Sequence, residues 1–170
     1  MAGHDGVVTW LARWLEDHSG HPTDTEQYVA AWTDEDGTLA KLDISFVDAE
    51  GRRAYVDVAF ASASSSVPAT VARHATEPGV AAADMVARKR RRYKPEKNPG
   101  VGLVPFVVES LGRVSPEAQA LLRAMAPSDA QQRSAALRDA RQTLAVLVQT
   151  RLAEQLLSAE AGRRRSRAAR

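Results

Sequence analysis

The 170-residue sequence contains no cysteine, few aromatic residues and no long apolar run. Without cysteine, disulfide bonds and thiolate zinc sites are excluded, and the composition suits a reducing, intracellular compartment. No stretch of about eighteen apolar residues is present, so we expect no membrane-spanning segment. The amino terminus lacks the basic region and apolar run of a secretory signal. With 44% hydrophobic residues the chain can form a core, and its length predicts one domain with additions.

Positive and negative charges are unevenly divided along the chain. Residues 1–57 include 4 basic and 12 acidic residues, whereas residues 58–170 include 19 basic and 9 acidic residues. Arginine provides 19 of the 23 basic residues, and its planar guanidinium group suits phosphate oxygens. A basic second half beside an acidic first half therefore fits a polyanion-binding surface next to a carboxylate-rich metal site. A GC-rich coding sequence is the alternative explanation for the arginine content.

The stretch LDISFVDAEGRRAYVDVAF predicts a β-hairpin that carries two aspartates, Asp43 and Asp57. The residues between its strands fit a three-residue loop in which Gly51 takes the left-handed conformation. In that register Asp48 pairs with Arg52. Asp43 then lies directly opposite Asp57, with about 4.5–5.5 Å between the two Cα atoms.

Alternation along the hairpin separates its two faces. The apolar residues of one face predict the core side, and they are Leu42, Ile44, Phe46, Val56, Val58 and Phe60. Both aspartates lie on the other face, which we expect to border a cleft. Two carboxylates held this close repel each other, and a divalent cation would remove the repulsion. Oxygen ligands without sulfur predict Mg²⁺ or Mn²⁺, and solvent-exposed aspartates without a ligand are the alternative.

The rest of the chain predicts helices around a small sheet. Apolar spacing and turn residues predict helices over 5–17, 81–93, 116–125 and 130–159, a short strand over 28–33 and a buried strand over 102–109. Residues 67–74 fit either a helical turn or a loop. The predicted fold class is α/β, with a small mixed central sheet, an acid-bearing β-hairpin, flanking helices and a long C-terminal helix. The predicted divisions are a domain over 1–126, a helical extension over 127–161 and a basic tail over 162–170.

The predicted helix over 81–93 carries a lysine on its apolar face. Helical spacing places Lys89 on one face with Ala82, Met85, Val86 and Tyr93. Its ammonium group should therefore point toward the sheet. An inward-facing lysine usually has a carboxylate partner or a catalytic task. The hairpin aspartates would be its partners. Arginines occupy the other faces of this helix.

Taken in order, the segments LDISFV, AYVDVAF, ARKRRRY and VPFVVESLGRVSPEAQALLRAM resemble the restriction-endonuclease-like, or PD-(D/E)XK, family. More narrowly, they resemble the C-terminal endonuclease domain of site-specific non-LTR retrotransposons, over about residues 39–125. The resemblance implies a restriction-endonuclease-like fold in which Asp43 and Asp57 bind metal and Lys89 is the catalytic lysine. Arg92 and Tyr93 match the basic-aromatic pair that follows that lysine.

The function implied by this resemblance is a divalent-metal-dependent nuclease of retrotransposon origin that hydrolyses phosphodiester bonds in DNA. It would act in the nucleus if the host is a eukaryote, with Mg²⁺ or Mn²⁺ as cofactor. Lys89 would orient the attacking water or neutralise the scissile phosphate. Glu16 or Asp17 could add a carboxylate, and Glu109 is a weaker candidate. The predicted nucleic-acid contacts are Arg88, Arg90, Arg91, Arg92, Tyr93 and Lys94.

Two other functions fit the same residues. One is a catalytically inactive nucleic-acid-binding domain of the same fold. The other is a protein-interaction module in which the helix over 130–159 forms a homodimer or binds a partner. The basic tail over 162–170 is a candidate nucleic-acid arm or nuclear localisation signal, and a disordered end is the alternative.

Overall fold

A computed structural model describes residues 2–33, 37–62, 68–97 and 100–168, which form an α/β fold. The predicted mixed sheet, acid-bearing hairpin, flanking helices and long C-terminal helix are confirmed at this level. Two short 3₁₀ turns cover Ala30–Trp32 and Pro95–Lys97. The elements in chain order are α1 (Ala2–Ser19), β1 (Asp24–Val29), β2 (Ala40–Val47), β3 (Arg53–Ala61), α2 (Pro68–Thr76), α3 (Val80–Tyr93), β4 (Gly102–Glu109), α4 (Pro116–Met125) and α5 (Ala130–Ala168).

The four strands form one sheet in the order β1-β2-β3-β4. The pairs β1–β2 and β2–β3 are antiparallel, and β3–β4 is parallel. The predicted strand over 102–109 is therefore correct, and it lies parallel to β3 at the edge of the sheet. Pro105, which pairs with Asp57, is accommodated there because an edge strand needs hydrogen bonds on one side only.

The hairpin forms with the predicted register. The pairs Ile44–Val56, Ser45–Tyr55, Phe46–Ala54 and Val47–Arg53 are those expected when Asp48 pairs with Arg52. Gly51 has a φ of 77°, and its amide donates to the Asp48 carbonyl at 3.0 Å. The Asp48 amide donates to the Arg52 carbonyl, and the Asp48 carboxylate accepts the Arg52 amide at 2.8 Å. The turn chemistry in the sequence thus fixes which residues oppose each other.

Helices cover both faces of the sheet. The helices α1, α4 and α5 pack on one face around the largest apolar cluster, which includes Ile44, Val56 and Phe106. The helix α3 packs on the other face through small side chains such as Ala59 and Ala82. The aspartate-bearing face is therefore covered by a helix, and the expectation that it borders an open cleft is wrong.

The helix α5 has 39 residues, a length of about 58 Å at 1.5 Å per residue. Its first half contributes Ala140, Leu144 and Val148 to the main core, so it packs with the segment predicted as the domain. Its second half exposes Leu156 and Leu157, at 60% and 71%. The helix continues to Ala168, so the predicted end at residue 159 is wrong: alanine and arginine favour helix strongly enough to continue it. A homodimer through α5 stays a prediction.

Two further boundaries differ from the sequence expectation. The helix α1 begins before Asp5, which lies within its first turn and does not precede the helix. The strand β1 covers Asp24–Val29, earlier than the expected 28–33, because a 3₁₀ turn follows Val29. Residues 67–74 fitted either a helical turn or a loop, and from Pro68 onward they form the helix α2. Among the described residues, no helix has both the length and the apolar character needed to cross a membrane.

Candidate catalytic site

Asp57 and Lys89 meet between β3 and α3. The Lys89 Nζ atom lies 2.7 Å from Asp57 Oδ2, as the helical spacing of the sequence predicted. Asp57 is 4% exposed and the Lys89 side chain 15%, so the pair is largely removed from water. Burial raises the pKa of Asp57, while the Lys89 charge and a hydrogen bond with Tyr93 act in the opposite direction without cancelling it. The ionised Asp57 carboxylate therefore needs a positively charged partner to offset its burial.

The position of Lys89 follows from where α3 begins. Gly79, with a φ of 90°, precedes the helix, and the Glu109 carboxylate at the end of β4 accepts the Ala82 amide at 3.0 Å. A carboxylate bound to the free amides of a first turn stabilises a helix. Lys89 lies two turns after Ala82, on the same helix face, and that face is buried against the sheet. Glu109 thus has a structural role in positioning α3.

Tyr93 supports the same aspartate from the next turn of α3. It is 3% exposed, and its hydroxyl favours the ionised Asp57 carboxylate and so acts to lower the pKa of that acid. Burial and the neighbouring Asp57 charge raise the pKa of Tyr93, so the phenol stays protonated. The Tyr93 ring lies beside Trp32 in the interior, and its predicted contact with nucleic acid stays a prediction.

Asp43 lies one position beyond the last regular pair of the hairpin. The β2–β3 ladder ends at Ile44–Val56, and Asp43 Oδ2 instead accepts the Val58 amide at 2.6 Å. The β1–β2 pairing is also interrupted opposite Asp43, where Glu26 has a φ of 56°. The predicted face-to-face pair of aspartates is therefore replaced by a side-chain hydrogen bond to the residue after Asp57.

The irregularity at Asp43 changes the packing of its neighbour. Leu42 joins the apolar cluster that includes Trp32 and Tyr93, whereas Ile44 joins the main core. The expectation that Leu42 and Ile44 share one face is wrong, because simple alternation requires a regular strand.

His4, in the first turn of α1, reaches the same place from the opposite side of the sheet. Its Nε2 atom lies 3.5 Å from Asp43 Oδ2 and donates to the Val58 carbonyl at 3.3 Å. The hydrogen bond with Asp43 is the main cause that raises the pKa of His4. Sequence reasoning missed His4, because a single histidine at the start of an amphipathic helix has no pattern that distinguishes it.

Asp43 has the opposite electrostatic environment to Asp57. Burial alone would raise the pKa of Asp43, but hydrogen bonds from His4 and the Val58 amide, with the charges of His4 and Lys89, lower it. Across the described residues, Lys89 forms an ion pair with Asp57 and none with Asp43. Its charge nevertheless acts on both aspartates. The structure thus brings Asp43, Asp57 and Lys89 into one electrostatic unit, with His4 as a fourth member.

The oxygens of this site suit a small divalent cation. Carboxylates are the ligands that Mg²⁺ and Mn²⁺ prefer, and Mg²⁺ often uses only one or two of them together with water. Asp57 Oδ2 is buried and, despite its contact with Lys89, has no hydrogen bond of regular geometry. The Asp43 side chain remains 22% exposed. In the described part of the chain, no three His, Asp or Glu side chains gather closely enough to hold a metal ion.

The predicted basic contacts are divided between two sides of α3. Arg88 and Arg91 line an open cleft of about 470 Å³ between α2 and α3, together with Asp84. Arg90 faces α4, where it forms an ion pair with Glu117 at 3.2 Å. The other two residues lie at the end of the helix: Arg92 lies over the Tyr93 ring at 5.3 Å, and Lys94 caps α3 with a φ of 45°.

The other two acids proposed from the sequence lie away from the site. Glu16 accepts the Thr23 amide at 2.9 Å and so closes the loop after α1. Asp17 lines a groove between α1 and α5, beside Trp10 and Asp139. We therefore assign no chemical role to either residue.

Comparisons with protein-family models and with curated proteins gave no match to this chain. The basis for a functional assignment is therefore the contact set of Asp43, Asp57, Lys89 and His4, together with the basic helix that carries Lys89.

Proposed function

We propose that the chain is a divalent-metal-dependent nuclease with a restriction-endonuclease-like fold, which hydrolyses phosphodiester bonds in DNA. The observation that carries the proposal is the contact between Lys89 Nζ and the buried Asp57 Oδ2 at 2.7 Å, one residue from the amide that Asp43 binds. A largely buried lysine paired with a hairpin acid suits charge compensation at a phosphate better than it suits stability, since buried ion pairs rarely stabilise a fold. A retrotransposon origin is part of the same proposal.

In this proposal each site residue has a separate task. Asp43 and Asp57 would hold the cation, which would lower the pKa of a bound water molecule and stabilise negative charge at phosphorus. Lys89 favours the ionised form of Asp57 against the effect of burial, and it would place a positive charge where a phosphate oxygen approaches. The Tyr93 hydroxyl favours the ionised form of Asp57. The low pKa of Asp43 keeps this acid ionised at neutral pH.

The arginines of α3 supply the substrate-binding surface in this proposal. Arg88 and Arg91 border the cleft between α2 and α3, and both are candidates for phosphate contacts. Arg90 is a weaker candidate, because its charge is already balanced by Glu117. Contacts of this kind weaken steeply as salt concentration rises.

A catalytically inactive nucleic-acid-binding domain of the same fold is the second candidate function. Two observations favour it. Asp57 is almost fully covered and already neutralised by Lys89, and the described residues provide only two carboxylates at the site. In this case the basic face would bind nucleic acid without a requirement for metal.

Plasmid nicking tests the two candidates directly. We expect the wild-type protein to nick supercoiled plasmid with Mg²⁺ or Mn²⁺. We expect Asp57→Asn and Lys89→Met to lose about 10²-fold or more, as for removal of a group that stabilises transition-state charge. Asp139→Asn, an exposed acid on α5, is the matched control and should nick like wild type. Binding of a labelled duplex is measured with the same proteins in EDTA. Equal nicking by all variants, or binding without nicking, would contradict the nuclease proposal.

A further inference from the structure

Beyond the last pair of the hairpin, Ile44–Val56, side chains bind the backbone groups that a longer ladder would pair. The hydrogen-bonded pairs of an antiparallel ladder recur every second residue, so Val58 would exchange two hydrogen bonds with Leu42. Instead, the Val58 amide binds Asp43 Oδ2 and the Val58 carbonyl accepts from His4 Nε2. A carboxylate and an imidazole therefore occupy a gap between β2 and β3, beside the proposed catalytic residues.

The distances from His4 Nε2 to the two oxygens in this gap are close to those between neighbouring ligands of one cation. The distances from His4 Nε2 are 3.3 Å to the Val58 carbonyl oxygen and 3.5 Å to Asp43 Oδ2. Both are long for hydrogen bonds, which are usually about 2.7–3.2 Å. Neighbouring ligands on metal bonds of about 2.1 Å lie roughly 3.0–3.4 Å apart for octahedral or tetrahedral angles.

We propose that His4 Nε2 is a nitrogen ligand for the divalent cation at this site, together with Asp43 Oδ2 and the Val58 carbonyl oxygen. The proposal rests on the proposed function only in placing a cation at Asp43. An imidazole nitrogen suits transition metals, whereas Mg²⁺ prefers oxygen. His4 therefore gives this site a preference for Mn²⁺ over Mg²⁺. The imidazole is 34% exposed, so a cation can reach it from solvent.

The first turn of α1 is firmly supported in the position that this role needs. A Cβ atom on Gly3 would lie 2.5 Å from the Arg151 Cβ atom, so only glycine allows α5 to approach so closely. The Arg151 guanidinium group lies 3.8 Å above the Phe60 ring on β3. One arginine thus joins α5, the residue before His4 and the strand that carries Val58.

Metal binding to the full chain tests this inference without any need for catalysis. The four histidines give a simple imidazole NMR spectrum, and Mn²⁺ broadens the signals of residues close to it. We expect substoichiometric Mn²⁺ to broaden the His4 signals before those of the other three histidines. By calorimetry, His4→Gln should lower Mn²⁺ affinity at least about tenfold, since even residues that only support a metal ligand are worth that much. Mg²⁺ affinity should change less than about threefold, because an oxygen-preferring ion loses little with the imidazole.

The control variant is His18→Gln at the other end of α1, where the imidazole bonds to the Trp14 carbonyl. It should bind Mn²⁺ like wild type. Equal Mn²⁺ affinity in wild type and His4→Gln, or His4 signals that broaden with or after the others, would overturn the inference. Broadening is measured on the wild-type chain, so a misfolded variant does not affect it. Selective His4 broadening in a protein that never nicks DNA would refute the nuclease and leave the ligand assignment standing.

Discussion

The two faces of the sheet bury different kinds of side chain. Under α1, α4 and α5 the sheet packs through large apolar residues such as Phe106 and Ile44, both fully buried. Under α3 it packs through alanines and encloses Asp57 with Lys89. Burial of apolar area stabilises a fold in proportion to the area, whereas a buried ion pair contributes little or costs stability. The first face should therefore provide most of the stability and the second the chemistry.

The largest test of this comparison removes the central aromatic residue of the first face. Phe106→Ala should lower the free energy of unfolding by about 3–5 kcal/mol, because a cavity replaces a fully buried ring. Urea denaturation measures the change. Val107→Ala, the next residue along β4 but facing α3, should cost clearly less. Similar losses for both variants would show that the two faces contribute equally to stability.

A double-mutant cycle examines the ion pair of the second face. Lys89→Met should destabilise the protein by about 3 kcal/mol, the lower end for a broken buried pair, because Lys89 keeps some contact with water. The double variant Asp57→Leu/Lys89→Met should recover most of this loss, since no buried charge is left unpaired. Thermal or urea unfolding of the four proteins gives the coupling energy, and strictly additive effects would contradict the assignment.

The smallest effect concerns the pH dependence of stability. The pKa of Asp57 is raised in the folded state, so the folded protein binds more protons than the unfolded chain in the window above about pH 4. The contribution of Asp57 is therefore fully present below the unfolded pKa and is lost as pH rises through the folded pKa. Relative to Asp57→Asn, the wild-type melting temperature should fall across this window. A difference in melting temperature between the two proteins that does not change with pH would show that burial does not raise the pKa of Asp57.

Asp84, also on α3, gives the matched control of opposite sign. A hydrogen bond from His74 and the nearby Arg73 charge lower its pKa. Its stabilising contribution is therefore present above the unfolded pKa of about 4 and is lost as pH falls through the lowered value. Relative to Asp84→Asn, the wild-type melting temperature should rise with pH. Opposite pH dependences of the melting temperature for the two aspartates would distinguish the buried Asp57 from the exposed Asp84.

Local chemistry made much of the fold predictable from the sequence. The turn at Gly51 fixed the hairpin register, and helical spacing identified the inward-facing Lys89. Both signals lie within a few residues of the feature that they determine. The break in β2 at Asp43 was not predictable, because alternation describes regular strands and contains no information about where a strand stops pairing.

The residues that sequence reasoning missed or misplaced depend on distant contacts. His4 contacts Val58, which lies 54 positions later in the chain, and no local pattern predicts that contact. Tyr93 was expected to contact nucleic acid because it matches the basic-aromatic pair of the resemblance, yet its ring is 3% exposed and its centroid lies 6.0 Å from that of Trp32. Which face of a helix is covered depends on the tertiary packing, and charge composition alone does not determine it.

The carboxylate of Glu109 on the Ala82 amide has a consequence for how this chain can vary. The start of α3, and with it the depth at which Lys89 meets Asp57, is fixed by the strand after the helix. The length of the connection between β3 and α3 therefore does not determine the position of Lys89. That length can drift, by insertion or deletion, without moving the amine, whereas one residue added between Ala82 and Lys89 would rotate that amine by about 100° and out of reach.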